Sequence, residues 1–150
     1  METEPDIRIR PASEQDIERV IDIEKLASNI PWTIDFFKHE LYNPVSFFYI
    51  MEIQNKLAAY VIFWIFKDES HIANVAVHPG FRKRGYGERL VNWVFDFCRR
   101  KGTKMITLEV NEMNTAARNL YQKMGFKIVG KRARYYENKY DALILTRELK

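Results

Sequence analysis

The stretch HPGFRKRGYGERL, residues 78–90, decides how the rest of the chain is read. Three consecutive cations, Arg82, Lys83 and Arg84, lead into Gly85-Tyr86-Gly87, and Glu88 follows. Leu90, Val91, Val94, Phe95 and Cys98 then recur at helical spacing, with Gly102 as a stop. A helix that begins behind glycines turns several backbone N–H groups toward one point, and its dipole adds partial positive charge there. Glycine also removes the Cβ that would keep a ligand off the backbone. Phosphate suits such a turn. A P-loop is excluded because Gly87 is followed by Glu88-Arg89, and a dinucleotide fingerprint because position 90 is Leu90. For the G-x-G alone, a tight strand-to-helix turn with solvated basic residues is the better reading.

Working outward, 150 residues make one domain, 1–150, with room for a core. Twenty-four Lys and Arg against twenty Asp and Glu leave a net +4, which suits an anionic ligand without demanding nucleic acid. Cys98 is the only cysteine, so no intrachain disulfide forms. METEPDIRIR carries no apolar signal core, and the longest apolar run, LAAYVIFWIF at 57–66, is too short to span a bilayer. The expectation is a cytoplasmic protein with no membrane partner. His39, His71 and His78 share no ligand-like spacing, so no metal is expected.

Alternation and β-branched or aromatic content predict strands at 7–10, 47–53, 57–66, 71–77, 104–110, 127–136 and 142–149. Helical spacing and caps predict helices after Ser13, at 31–41 with Thr33 as cap, after Gly87, and at 114–124 ended by Gly125. Gln54-Asn55-Lys56 is short enough for a hairpin. The order β-α-α-β-β-β-α-β-α-β-β is that of an α+β fold, with a mixed sheet and helices packed on it. In the first helix Ile17, Val20, Ile21 and Glu24 share a face. Spacing alone places Glu24 at the edge of that apolar stripe, in water.

Arg82-x-x-Gly85-x-Gly87 directly after IANVAVHP resembles the acetyl-CoA pyrophosphate loop of the GNAT N-acetyltransferase superfamily. The element order is similar to that family's, with a mostly antiparallel seven-stranded sheet flanked by four helices, and the resemblance covers essentially the whole chain. The chain looks closest to RimI-type enzymes and to catalytic subunits of N-terminal acetyltransferases. The supporting residues are Pro31-Trp32, NVAV at 74–77, LEV at 108–110, N-x-x-A-x-x-L-Y-x-x-x-G-F at 114–126, and Arg134-Tyr135-Tyr136 with Asp141-Ala142. The resemblance implies acetyl-CoA as co-substrate. The acceptor it implies is a protein N-terminus, a small-subunit ribosomal protein for RimI-type enzymes, docked with help from the basic tract 131–134; no direct nucleic-acid contact is required.

Acetyl transfer needs a neutral amine, a polarised carbonyl, a protonated leaving thiol and a cofactor held in line. The resemblance assigns 82–88 to the pyrophosphate and the backbone of Val75, Ala76 and Val77 to the pantetheine and the acetyl carbonyl, although NVAV alone reads as buried strand. It assigns Asn114 to the pantetheine; Asn114 also reads as a helix N-cap. Glu109 is an acid in the apolar run ITLEV, out of place unless it faces a cleft or has a partner, and the RimI-type catalytic glutamate lies in this LEV. Tyr121 reads as a core aromatic by spacing and as general acid by the motif. Tyr135 and Tyr136 match the tyrosine pair of the peptide groove, with Trp32 and Glu24 for the other wall. An α-amine near pKa 7.8 is roughly a tenth neutral at pH 7 and a lysine near 10.4 about 0.04%, a difference of roughly 3.5 kcal/mol. That favours an α-amine. A GNAT acting on lysine or a polyamine, and a non-catalytic acyl-CoA-binding module, are the alternatives.

Overall fold

The computed structural model describes residues 5–28, 30–136 and 139–149, with the side chain of Tyr136 outside the described set. Its elements are β1 (Ile7–Pro11), α1 (Ile17–Ala27), α2 (Ile34–Tyr42), β2 (Ser46–Ile53), β3 (Lys56–Phe66), β4 (Glu69–Val77), α3 (Tyr86–Arg100), β5 (Met105–Asn111), α4 (Thr115–Lys123), β6 (Lys127–Tyr136) and β7 (Tyr140–Glu148). The strand order is β1-β2-β3-β4-β5-β7-β6. β4 and β5 pair in parallel, whereas β1–β2, β2–β3, β5–β7 and β6–β7 are antiparallel. The predicted α+β class, seven strands and four helices are all present. No helix among the described residues is long and apolar enough to cross a membrane.

Contacts gather into two compact units, one through Trp64 with Asn74–Val91, the other Ile65–Ala73 with the residues from Asn92 on. The first holds the β1–β2–β3 meander, α1, α2 and the end of β4. Its hairpin turns at Gln54 and Asn55, whose φ of 50° and 67° are the two left-handed residues a two-residue turn requires. Thr33 caps α2 by accepting from Phe36 N at 3.3 Å, so α2 starts after Pro31-Trp32 and not at Pro31. Its core centres on Phe37, fully buried, whose ring meets those of Trp32, Phe48 and Tyr60 at 5.5–5.9 Å between centroids.

The second unit holds β5, β7, β6, α4, the start of β4 and most of α3. In β5, buried Ile106, Leu108 and Val110 alternate with partly open Thr107, Glu109 and Asn111. Period-2 alternation thus sets Glu109 on the face opposite the apolar one. The rings of Phe95 and Phe126 meet at a tilt, 5.7 Å between centroids, and the Arg147 guanidinium lies 4.2 Å over Phe95. Cys98 is buried, as its helical spacing predicts.

Phe37→Ala is expected to lower the unfolding free energy by about 3–5 kcal/mol, because it removes a ring enclosed on three sides. Urea unfolding followed by tryptophan fluorescence measures this; a loss under about 1 kcal/mol would contradict the packing described.

Candidate active site

In the first unit, β4 ends at Val77 and the chain turns into α3. His78 Nδ1 accepts from Gly80 N at 2.9 Å and opens a 3-10 turn over Pro79–Phe81. The Arg82 side chain folds back, its Nε donating to Val77 O at 2.9 Å, while Arg82, Lys83 and Arg84 all stay exposed. Lys83 and Gly85 take positive φ, 64° and 81°. The first backbone bond of the helix runs from Arg89 N to Gly85 O at 3.0 Å, so the N–H groups of Tyr86 and Gly87 precede it. The two glycines have different reasons. Gly85 needs its left-handed φ, whereas a Cβ on Gly87 would meet only Val77 Cγ2 at an ordinary 3.5 Å. Nothing in the chain's own packing requires glycine at 87.

Glu24 is not at the edge of its stripe in water. It is 3% exposed, and its carboxylate accepts from Trp32 N at 2.9 Å, Tyr60 Oη at 3.0 Å and Asn74 Nδ2 at 3.1 Å. Burial, followed by the adjacent carboxylate, holds the Tyr60 phenol far above its ordinary range. Trp32 belongs to the turn before α2, its ring against Phe36 and Phe37. Leu26, Ile30, Ile34 and Phe36, in and beside that turn, remain exposed. Val75 and Val77 are half-buried and Ala76 is buried at the end of β4.

In the second unit, the parallel pairing of β4 with β5 runs from Glu69↔Met105 to Ile72↔Leu108. Glu109 is the next residue of β5. Its side chain is 14% exposed, and its Oε1 stands 3.1 Å from Arg132 Nη2. Arg132 lies in turn 5.4 Å over the ring of Tyr135. Thus the acid in ITLEV does have a partner, one that sequence reasoning assigned only to a docking tract. Burial lowers the His71 imidazole below its ordinary value; nearby Glu109 opposes the shift and Arg132 adds to it. Tyr121 on α4 meets Phe126 edge-on at 5.6 Å, and desolvation alone pushes its phenol up to about 12. Asn114 caps α4, Oδ1 accepting from Ala117 N at 3.1 Å. Asp141 accepts from Arg134 N at 2.9 Å and shapes the end of β6. Among the described residues no cluster of His, Cys, Asp and Glu could hold a metal.

The sequence profile of the Acetyltransferase (GNAT) family matches residues 17–126. The chain belongs to this family. As a GNAT protein it is an acyltransferase, and its relatives are of the RimI type. It is 38% identical over 133 residues to a Bacillus subtilis protein named as a candidate ribosomal protein bS18-alanine N-acetyltransferase, covering 87% of this chain and 88% of that one. It is 32% identical over 126 residues to the ribosomal protein bS18-alanine N-acetyltransferase of Haemophilus ducreyi, covering 82% and 84%. The crystal structure of the Escherichia coli ribosomal-protein-S18-alanine N-acetyltransferase superposes on this GNAT fold with a TM-score of 0.90 at 26% identity, over 96% of this chain and 94% of that one.

Two outcomes follow from the buried groups. Tyr60→Phe leaves one oxygen of a buried carboxylate without its donor and is expected to cost about 1–3 kcal/mol in urea unfolding; no change would mean that water replaces the phenol. His71 is neutral in the fold because burial lowers its pKa. Its contribution is therefore present above the ordinary value of 6.5 and lost as pH falls through the lowered folded value. His71→Asn should make the urea midpoint less acid-sensitive as pH falls below the ordinary imidazole value of 6.5, and an unaltered pH dependence would contradict the burial effect.

Proposed function

We propose that this GNAT protein acetylates the N-terminal α-amino group of a protein, in the manner of ribosomal-protein-alanine acetyltransferases, using acetyl-CoA directly. The observation that carries the α-amine reading is Glu109, a single carboxylate on the partly open face of β5 whose one ionic partner among the described residues is Arg132. A base of this modest kind suits an amine that is already partly neutral at pH 7. The relatives named as bS18-alanine N-acetyltransferases support the same acceptor class and suggest a small-subunit ribosomal protein.

Acetyl-CoA supplies the thioester and the acyl group. The turn at 82–88 binds its pyrophosphate through the backbone N–H groups at the start of α3. The glycine at 87 supports this, since it answers no demand of the chain's own packing. The Arg82 guanidinium, tied to Val77 O, holds its charge at the end of β4. The backbone of Val75, Ala76 and Val77 lines the pantetheine and polarises the acetyl carbonyl. Glu109 accepts, directly or through one water, the proton that the nitrogen sheds as the C–N bond forms. Tyr121 donates its proton to the sulfur as the C–S bond breaks; its raised pKa keeps it protonated at neutral pH. The proton on Glu109 returns to the Tyr121 phenolate through solvent, which closes the cycle. Asn114 contacts the pantetheine in addition to capping α4. As the resemblance implies, Trp32, with Glu24 bound to its backbone N–H, and Tyr135 are the residues proposed for the acceptor peptide.

Tyr121→Phe is expected to lower kcat by about 10²-fold while the KM for acetyl-CoA stays put. Unchanged kcat would remove Tyr121 from the mechanism. Gly87→Ala is expected to leave the urea midpoint unaltered and to weaken acetyl-CoA binding about tenfold by calorimetry. Undiminished affinity would mean that the pyrophosphate lies elsewhere.

A further inference from the structure

Arg132 reaches Glu109 from two strands away. Glu109 pairs with Ile144 of β7 and Asn111 with Ala142, and Ala142 pairs on its other side with Arg132 of β6. Arg132 and Glu109 therefore share a face of the sheet with β7 between them. Two inter-strand spacings, about 10 Å, separate their backbones. A long side chain from each end spans that distance where the intervening residue is a short alanine.

The register of β6 then breaks. From Arg132↔Ala142 to Tyr136↔Tyr140 it spends four steps against two on β7. Arg134 sits in this stretch at φ 51°, its N–H donating to Asp141 Oδ1. In a regular strand residues 132 and 135 would point to opposite faces. The irregularity instead brings the Tyr135 ring beneath the Arg132 guanidinium. Arg132 is held twice, by Glu109 and by Tyr135, although its side chain is 56% exposed. An ion pair so exposed contributes little to stability, so stability is not what this arrangement supplies.

Resting on the reading of Glu109 as base, we propose that Arg132 is a positioning residue for acetyl transfer. It pins Oε1 of Glu109 and leaves Oε2, which has no hydrogen-bond partner among the described residues, as the oxygen that takes the amine's proton. Tyr135 is the platform that fixes Arg132 in turn. The groups facing the pair are His71 on β4, Tyr135 on β6 and, on β7, the uncharged Ala142 and Ile144.

The test is a double-mutant cycle on the full chain, with steady-state acetylation of a peptide bearing a free N-terminal alanine. Arg132→Met, Glu109→Gln and the double variant are compared, with urea midpoints confirming that each folds. Arg132→Met is expected to lower kcat about ten- to a hundredfold with the KM for acetyl-CoA unchanged. The double variant is expected to be no slower than Glu109→Gln alone, because Arg132 acts only through Glu109. Arg132→Lys should recover part of the loss. Multiplying losses, an effect confined to the KM for peptide, or an unaffected kcat in Arg132→Met would each overturn the positioning role. An unaffected kcat in Glu109→Gln would instead remove the base on which the inference rests.

Discussion

A carboxylate shut away from water must be met by donors, and Glu24 is met by three: a backbone N–H of the turn before α2, a phenol of β3 and an amide of β4. Leaving any of them unpaired costs more than a neutral hydrogen bond contributes, because the charge stays buried. The turn that carries Trp32 is thereby hung on α1, and α2 begins where Thr33 can cap it. The fully buried Phe37 packs in the same place, between Trp32, Phe48 and Tyr60. The apolar, exposed residues of that turn are presented on a rigid base and not on a loose loop.

The two notable carboxylates differ in their surroundings. Glu24 has both oxygens engaged, so it holds structure. Glu109 has one oxygen held by a cation and the other unengaged among the described residues, which is what the proposed role as base requires. Tyr121 complements it: desolvation keeps a phenol protonated where an exposed one would start to ionise nearer 10. The proposed base and the proposed acid thus have opposite surroundings, one charged and partly open, the other apolar.

Much of the fold was legible because its signals are local. Thr33 and Asn114 are side-chain caps and act within three residues. Gln54-Asn55 supplies the left-handed turn that a two-residue hairpin needs, and Gly85 the left-handed entry to α3. β4 starts at Glu69, two residues before the predicted His71, because the left-handed Lys67 completes the turn from β3 sooner than alternation suggests. The placement of Glu24 was not legible: spacing puts it on an apolar stripe, but Tyr60 and Asn74 lie 36 and 50 residues away. Arg132 escaped for a related reason. RARYY reads as regular strand, and the break in register that joins Arg132 to Tyr135 and Glu109 comes from pairing with β7. Of the proposed catalytic pair, Glu109 stood out as an acid in the apolar run ITLEV and the motif resemblance added to that reading, whereas helical spacing alone would have left Tyr121 as a core aromatic.

The central claim is the acceptor class, and one assay tests it most directly: thiol release from acetyl-CoA with different amines. Peptides with free N-terminal Ala, Ser or Met are set against an N-blocked peptide containing lysine and against spermidine. Turnover with the free N-termini and none with the other two is the predicted result. Turnover with spermidine or blocked lysine that equals or exceeds it would contradict the account.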